Sequence, residues 1–236
     1  MTAVKERGAA WWARGGRWLI SRGQKLIFRH LFRVRVVGGE HVPHKNTAYI
    51  IAANHTSHLD FAPIKHALGY RPVISLAAKD YFFESPFKRW FFTNFTNMLP
   101  FNRKAALKES LQAAGAVLDS GMPILLFPEG TRTTTGRMGP FKASLGYLAL
   151  NNGVAVLPVY LHGLYEAMPK GAWFPRRRDM LIVIGKPISH EELTRAAAGL
   201  EGSDAYRAAT ALVEAEVRKL AGREAPQARA ARAAPL

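Results

Sequence analysis

The feature that most constrains the fold is an alternation of short apolar runs with longer stretches of helical periodicity through the middle of the chain. Residues 33–37, 47–53, 73–77, 123–127, 154–160 and 181–184 are rich in Val, Ile, Leu and Ala and read as strands. Residues 59–68, 104–119, 142–151, 191–198 and 204–220 carry helical spacing, and the aromatic stretch 81–95 reads as partly helical. The helix at 104–119 stops at Ser120-Gly121, and that at 142–151 stops near Gly153. This order predicts an α/β fold, with a mixed, mainly parallel sheet flanked by helices.

The chain has 236 residues, enough for one substantial domain and too few for two large cores. Three segments are expected: a helical segment over 1–37, a single catalytic domain over 38–222, and a disordered tail over 223–236, where Ala, Arg and Pro dominate. Lys and Arg number 33 against 17 Asp and Glu, a formal net charge of +16. That excess favours an anionic partner without choosing among phospholipid, phosphorylated substrate, nucleic acid and acidic protein. Cysteine is absent, which rules out disulfides, thiolate metal sites and a cysteine-bound intermediate. No apolar run reaches the roughly 18 residues that a spanning helix needs, so membrane attachment is expected to be interfacial. In the first segment Trp11, Trp12, Trp18, Leu19, Leu26 and Phe32 are interleaved with Arg14, Arg17, Arg22, Lys25 and Arg29. This suits a basic amphipathic helix lying on an anionic membrane surface, broken near Gly15-Gly16 and Gly23.

The first motif is Asn54-His55-Thr56-Ser57-His58-Leu59-Asp60. A five-residue step turns an ideal helix by about 500°, leaving the two ends about 140° apart. His55 and Asp60 therefore meet only if His55 precedes the helix, with Ser57 near the N-cap and Asp60 near N3, reaching back to the ring. Histidine is available as a base near neutral pH, and a carboxylate on its other nitrogen fixes the tautomer. Plain helix capping by Ser57 and Asp60, or metal ligation by His55, His58 and Asp60, would use the same residues.

The second motif is Phe127-Pro128-Glu129-Gly130-Thr131-Arg132, a strand running into a tight turn. Gly130 admits close backbone approach, Thr131 can donate a hydrogen bond, and Arg132 can grip phosphate through its planar fork. Glu129 is expected to orient an Arg or to bind an acceptor hydroxyl. Arg103, closing Leu99-Pro100-Phe101-Asn102-Arg103, can reach the same anion, and Pro158 is expected at an edge or bend near the site. With neither Cys nor a G-x-S-x-G elbow, direct attack on a bound thioester is preferred to an acyl-enzyme.

Together, the H-x4-D block at His55 and Asp60, the block ending at Arg103, the F-P-E-G-T-R block and the proline block around Pro158 resemble those of the glycerolipid acyltransferases. The likeness to the lysophosphatidate acyltransferase family covers about residues 36–187, with Asn97 where many members have glycine. The resemblance implies transfer of a fatty acyl group from acyl-CoA or acyl carrier protein to a lysophospholipid hydroxyl, with no cofactor and no metal. It implies His55 as catalytic base, Asp60 as its partner, and Arg103, Glu129, Gly130, Thr131 and Arg132 as the glycerol phosphate side. The acceptor it favours is 1-acylglycerol 3-phosphate; glycerol 3-phosphate, another lysophospholipid or an acylated amino-acid lipid would use the same chemistry. The expected place is the cytoplasmic face of a membrane, peripheral or monotopic.

Tyr81, Phe82, Phe83, Phe87, Trp90, Phe91, Phe92 and Phe95 supply surface for an acyl groove, for lipid contact or for ordinary packing. Trp173-Phe174-Pro175-Arg176-Arg177-Arg178 repeats the aromatic and basic combination in a loop suited to anionic membrane or to the donor's phosphates. A basic membrane or nucleic-acid module explains the charge but has no need of His55, Asp60 and Glu129. No nucleic-acid-binding motif accompanies the charge, so nucleic acid is not an expected partner.

Overall fold

The computed structural model describes residues 11–44, 47–78, 82–102 and 107–233. Its elements follow in the order α1 (Trp11–Leu31), β1 (Phe32–Val37), β2 (Tyr49–Ala53), α2 (Phe61–Ala67), β3 (Ile74–Ala78), α3 (Pro86–Phe95), β4 (Met98–Phe101), α4 (Leu107–Asp119) and β5 (Ile124–Leu126). They continue with α5 (Ser144–Asn151), β6 (Ala155–His162), α6 (Leu164–Ala167), β7 (Arg178–Ile184), α7 (His190–Ala196) and α8 (Gly202–Ala233). The strands form one sheet in the order β1-β7-β6-β2-β5-β3-β4. Every neighbouring pair is parallel except β6 with β7. The expected α/β architecture is the one observed.

The sheet is covered on both faces, which is why its central strands are continuous apolar runs. All five residues of β2 are buried; Tyr49, Ile51 and Ala53 pack with Ile64 and Leu164 on one side. Ile50 and Ala52 pack with Leu111, Leu145 and Val213 on the other. Each large side chain so buried contributes on the order of 1.5–3 kcal/mol. Gly146 lets α5 press against α8: its N–H donates to Thr210 Oγ1 at 3.0 Å, and a Cβ there would lie 2.1 Å from the Tyr206 carbonyl.

The single antiparallel pairing decides where functional segments gather. β2, β3, β4, β5 and β6 all point one way, while β1 and β7 point the other. The beginnings of β1 and β7 therefore lie at the same end of the sheet as the carboxyl ends of the other five.

Several expectations are corrected. The helical segment ends at Leu31, because residues 32–37 are a strand paired with β7 and Phe32 is buried. α1 is unbroken: Gly15 and Gly23 face open space, and Gly16 brings the helix against Phe95, whose ring would lie 2.3 Å from an added Cβ. β4 is absent from the sequence reading because Pro100 interrupts it, yet it is the edge strand, where a missing N–H is tolerated. Pro158, expected at an edge or bend, sits within interior strand β6, at the point where the ladder to β7 stops and Gly185 N donates to its carbonyl. From 223 to 233 the backbone continues α8 where a tail is expected, consistent with the helix propensity of Ala and Arg.

Candidate active site

β2 delivers its chain end to the site under tight control. Asn54 extends the sheet with its side chain: Nδ2 donates to the Leu161 carbonyl at 3.0 Å, and Leu161 N donates to Oδ1 at 2.7 Å. The next residue, His55, places Nδ1 2.8 Å from Asp60 Oδ2. Asp60 is 1% exposed, and the same oxygen accepts from Thr56 N at 2.6 Å and Ser57 N at 2.9 Å, while Oδ1 accepts from Thr56 Oγ1 at 3.1 Å. A buried carboxylate so surrounded by donors stays where it is, and it obliges Nδ1 to carry the proton. Nε2 is then the ring nitrogen free to act as a base. The ring also lies flat against Phe127, with centroids 4.1 Å apart and 13° between planes.

The geometry inferred from the five-residue spacing is thus present, with one change in helix register. Regular helix α2 begins at Phe61 and Asp60 occupies the N-cap position without capping it, because its oxygens point back into the turn. Ser57 Oγ accepts from Leu59 N and donates to the Met168 carbonyl at 2.8 Å.

Glu129 comes from the turn after β5 and is buried. Its Oε1 accepts from His55 N at 2.7 Å and its Oε2 from Gly139 N at 2.8 Å. Among the described residues these oxygens are held by backbone groups, so the side chain clamps the histidine backbone to the Gly139 loop. Burial pushes its carboxyl above the usual range, against the opposing pull of the two N–H donors and of the nearby His55 ring. A second tie runs from Thr133 N to the His55 carbonyl at 2.9 Å.

His55 and Asp60 open onto a cavity of about 500 Å³ at the carboxyl ends of β2, β3, β4 and β5. Gly130, Thr131 and Arg132 line it, and Nη1 of Arg132 is buried with no hydrogen-bond partner among the described residues. A buried guanidinium donor of this kind is an invitation to an anion. His58, also on the wall, is held below the usual imidazole range by desolvation first, then by the Arg132 guanidinium and His55, with Asp60 opposing. Leu76, Ala77, Phe82, Met98, Phe101 and Leu126 supply the apolar lining.

Of the aromatic stretch proposed for an acyl groove, Phe82 reaches this cavity. Phe87 and Trp90 are exposed; Trp90 stacks with Trp12 of α1, and Phe95 packs against the same ring at a tilt of 59°. Arg103 and Tyr81 fall outside the described residues. Two cations were missed: Lys142, whose Nζ would sit 2.6 Å from a Cβ on Gly130, and Lys170. Gly130 has φ +72°, so glycine alone accommodates both the turn and that lysine. Nothing in local sequence separated these lysines from surface ones, although Lys142 does stand just ahead of a legible helix.

Comparison with known proteins bears on this geometry directly. The family model described as Acyltransferase matches residues 33–162, more than half of the chain and both motifs. The chain belongs to the acyltransferase family. Among curated relatives, it is 33% identical over 142 residues to a 1-acyl-sn-glycerol-3-phosphate acyltransferase of Chlamydomonas reinhardtii, covering 59% of this chain and 42% of that protein. It is 28% identical over 160 residues to the chloroplastic 1-acyl-sn-glycerol-3-phosphate acyltransferase of Arabidopsis thaliana, covering 66% of this chain and 44% of that protein. The chain therefore spans under half the length of these two relatives. The crystal structure of the 1-acyl-sn-glycerophosphate (LPA) acyltransferase from Thermotoga maritima matches with a TM-score of 0.68 and 26% identity, over 89% of this chain and 80% of that one. The acyltransferase model ends with β6, so β7 and the helices after it lie beyond the family match, although the structural likeness extends over most of the chain.

Proposed function

We propose that this chain is an O-acyltransferase that moves a fatty acyl group from acyl-CoA or acyl carrier protein to the free hydroxyl of 1-acylglycerol 3-phosphate, giving phosphatidate. The observation that carries the reading is the His55–Asp60 pair, fixed at 2.8 Å and opening onto a cavity that also holds the Arg132 donor, which has no partner among the described residues. The names of the relatives support the same acceptor.

In this mechanism the acceptor phosphate lies against Arg132 and Thr131, with Gly130 allowing close approach. His55 Nε2 removes the hydroxyl proton as the oxygen attacks the thioester carbonyl. The new C–O bond forms, the C–S bond breaks, and the imidazolium returns its proton to the leaving thiolate, while Asp60 balances the transient charge. Glu129 holds the His55 backbone in place and serves as a positioning residue. The apolar lining from β3 and β4 accepts an acyl chain. Access to such lipids is through a membrane surface: α1 presents Trp11, Trp18, Leu19 and Leu26 to solvent, suited to peripheral attachment. No helix among the described residues is long and apolar enough to cross a membrane.

The test is an acceptor screen with the purified protein and labelled acyl donor, using lysophosphatidate, glycerol 3-phosphate, other lysophospholipids and an acylated amino-acid lipid, with His55→Ala as blank. Lysophosphatidate should be the preferred acceptor, and Arg132→Ala should raise its KM by about 10- to 100-fold, the scale of a lost charge-assisted bond. Full turnover by the blank, preference for an uncharged acceptor, or an unchanged acceptor KM in Arg132→Ala would each count against the assignment.

A further inference from the structure

The loop between α6 and β7 presents two of the most exposed aromatic side chains among the described residues: Trp173 is 89% and Phe174 82% accessible. It is also strongly basic, with Lys170, Arg176 and Arg177, followed by Arg178 as the first residue of β7. The loop is built rather than slack. Ala172 N donates to the Pro169 carbonyl, Gly171 takes φ +94°, and Arg176 N returns to the Ala167 carbonyl at 2.8 Å, closing the loop at its base. Ser57 of the catalytic turn donates to the Met168 carbonyl, so that base is tied to the segment carrying His55 and Asp60. Lys170 lines the cavity itself.

Topology brings this loop beside the amphipathic helix. β1 pairs in parallel with β7 in the register Phe32↔Arg178, so the end of α1, at Leu31, and the end of the loop, at 177, enter the sheet side by side. Because β1 and β7 oppose the other strands, both enter at the end of the sheet that bears the cavity.

We propose that the 169–178 loop is a second membrane anchor, seating Trp173 and Phe174 in the headgroup region of an anionic phospholipid surface while its arginines engage lipid phosphates. Tryptophan favours the headgroup layer, and each Arg near an anionic leaflet adds roughly fivefold to partition. An acidic protein partner would match the charge but leave two fully presented aromatic rings unexplained, whereas a lipid surface satisfies both. The consequence is geometric: one anchor fixes a point on the membrane, and two fix the tilt of the domain. The tie from Ser57 to Met168 then sets the height of the cavity mouth above the lipid plane. The inference rests on the membrane reading proposed for α1 and goes beyond it.

The experiment is flotation of the whole protein with phosphatidylcholine vesicles, with and without phosphatidylglycerol, comparing Trp173→Ala/Phe174→Ala and Arg176→Ala/Arg177→Ala with Trp18→Ala/Leu19→Ala in α1. The aromatic pair of changes should weaken binding to phosphatidylglycerol vesicles by about tenfold or more. The arginine pair should weaken it by about tenfold or more on those vesicles and little on phosphatidylcholine alone. Transfer between short-chain, water-dispersed substrates should be unchanged in both, since neither pair lines the cavity. Undiminished flotation of the loop variants beside impaired α1 variants would overturn the second anchor and leave the first. Failure of the unaltered protein to float would overturn both. Normal flotation of the loop variants with a raised KM for acyl carrier protein would reassign the loop to donor docking.

Discussion

The His55–Asp60 turn and the aromatic surface around α1 and α3 lie in one domain but are held by opposite means. In the turn, Asp60 alone accepts four hydrogen bonds, Asn54 is locked to β6 from both sides, and Glu129 pins the backbone of His55. Along α1 and α3 the contacts are ring against ring, Trp12 with Trp90 and Phe95 at 5.8–6.2 Å, and several partners keep much of their surface in solvent. Directional bonds with buried partners fix an atom's position to a fraction of an ångström, which proton transfer needs. Apolar contacts fix only that a surface stays apolar, which suffices for lying on lipid.

The contrast is broken most severely at Asp60. Asp60→Asn can keep its oxygen on the three N–H donors and turn its amide toward Thr56 Oγ1, so the turn should fold. The charge that balances the imidazolium is lost, and kcat should fall by about 10²- to 10⁴-fold with acceptor KM little changed. Steady-state kinetics beside a circular dichroism spectrum tests this; a normal kcat would detach Asp60 from the chemistry.

Glu129→Gln is expected to act through position. One of the two backbone N–H donors then meets an amide NH2, a loss on the order of 1–3 kcal/mol. Activity should fall without a change in the pH profile of kcat, as befits a side chain that acts by holding two backbone N–H groups. The stability difference should itself depend on pH. Because burial raises the folded-state pKa of Glu129, the wild type gains most below the ordinary carboxylate value of 4.5, and that gain is lost as pH rises through the raised value. Denaturant unfolding of both proteins across a pH series should show the gap shrinking as pH rises; a constant gap would remove the buried-carboxyl argument.

The smallest effect belongs to the surface. Trp18 is 56% exposed, with the Arg22 guanidinium 4.7 Å above its ring, and Trp18→Ala should move unfolding stability by no more than about 0.5 kcal/mol. A loss of several kcal/mol would mean that α1 is part of the core and would erase the contrast.

How much could be read in advance varied with the range of the interaction concerned. The six strands expected from apolar runs are present because a buried parallel sheet leaves few other uses for such runs, whereas β4 hid behind a proline that only an edge position excuses. The His55–Asp60 contact was legible because five residues of chain leave few ways for the two to meet. The ties of Glu129 to His55 and Gly139 were not legible, since both partners are backbone groups with no sequence signature. Gly15-Gly16 looked like a helix break because glycine is a poor helix former; packing of Gly16 under Phe95 overrode that propensity.

By itself, the sequence determined the α/β class, the strand and helix alternation, and the meeting of His55 with Asp60, because these depend on residue type and on spacings of a few residues. The tertiary structure alone decided the rest. Reversal between β6 and β7 put the 169–178 loop and the end of α1 at the cavity end of the sheet, and Glu129 reached His55 across 74 residues. Such contacts follow from how strands are ordered and which way they run, and local periodicity carries no record of either.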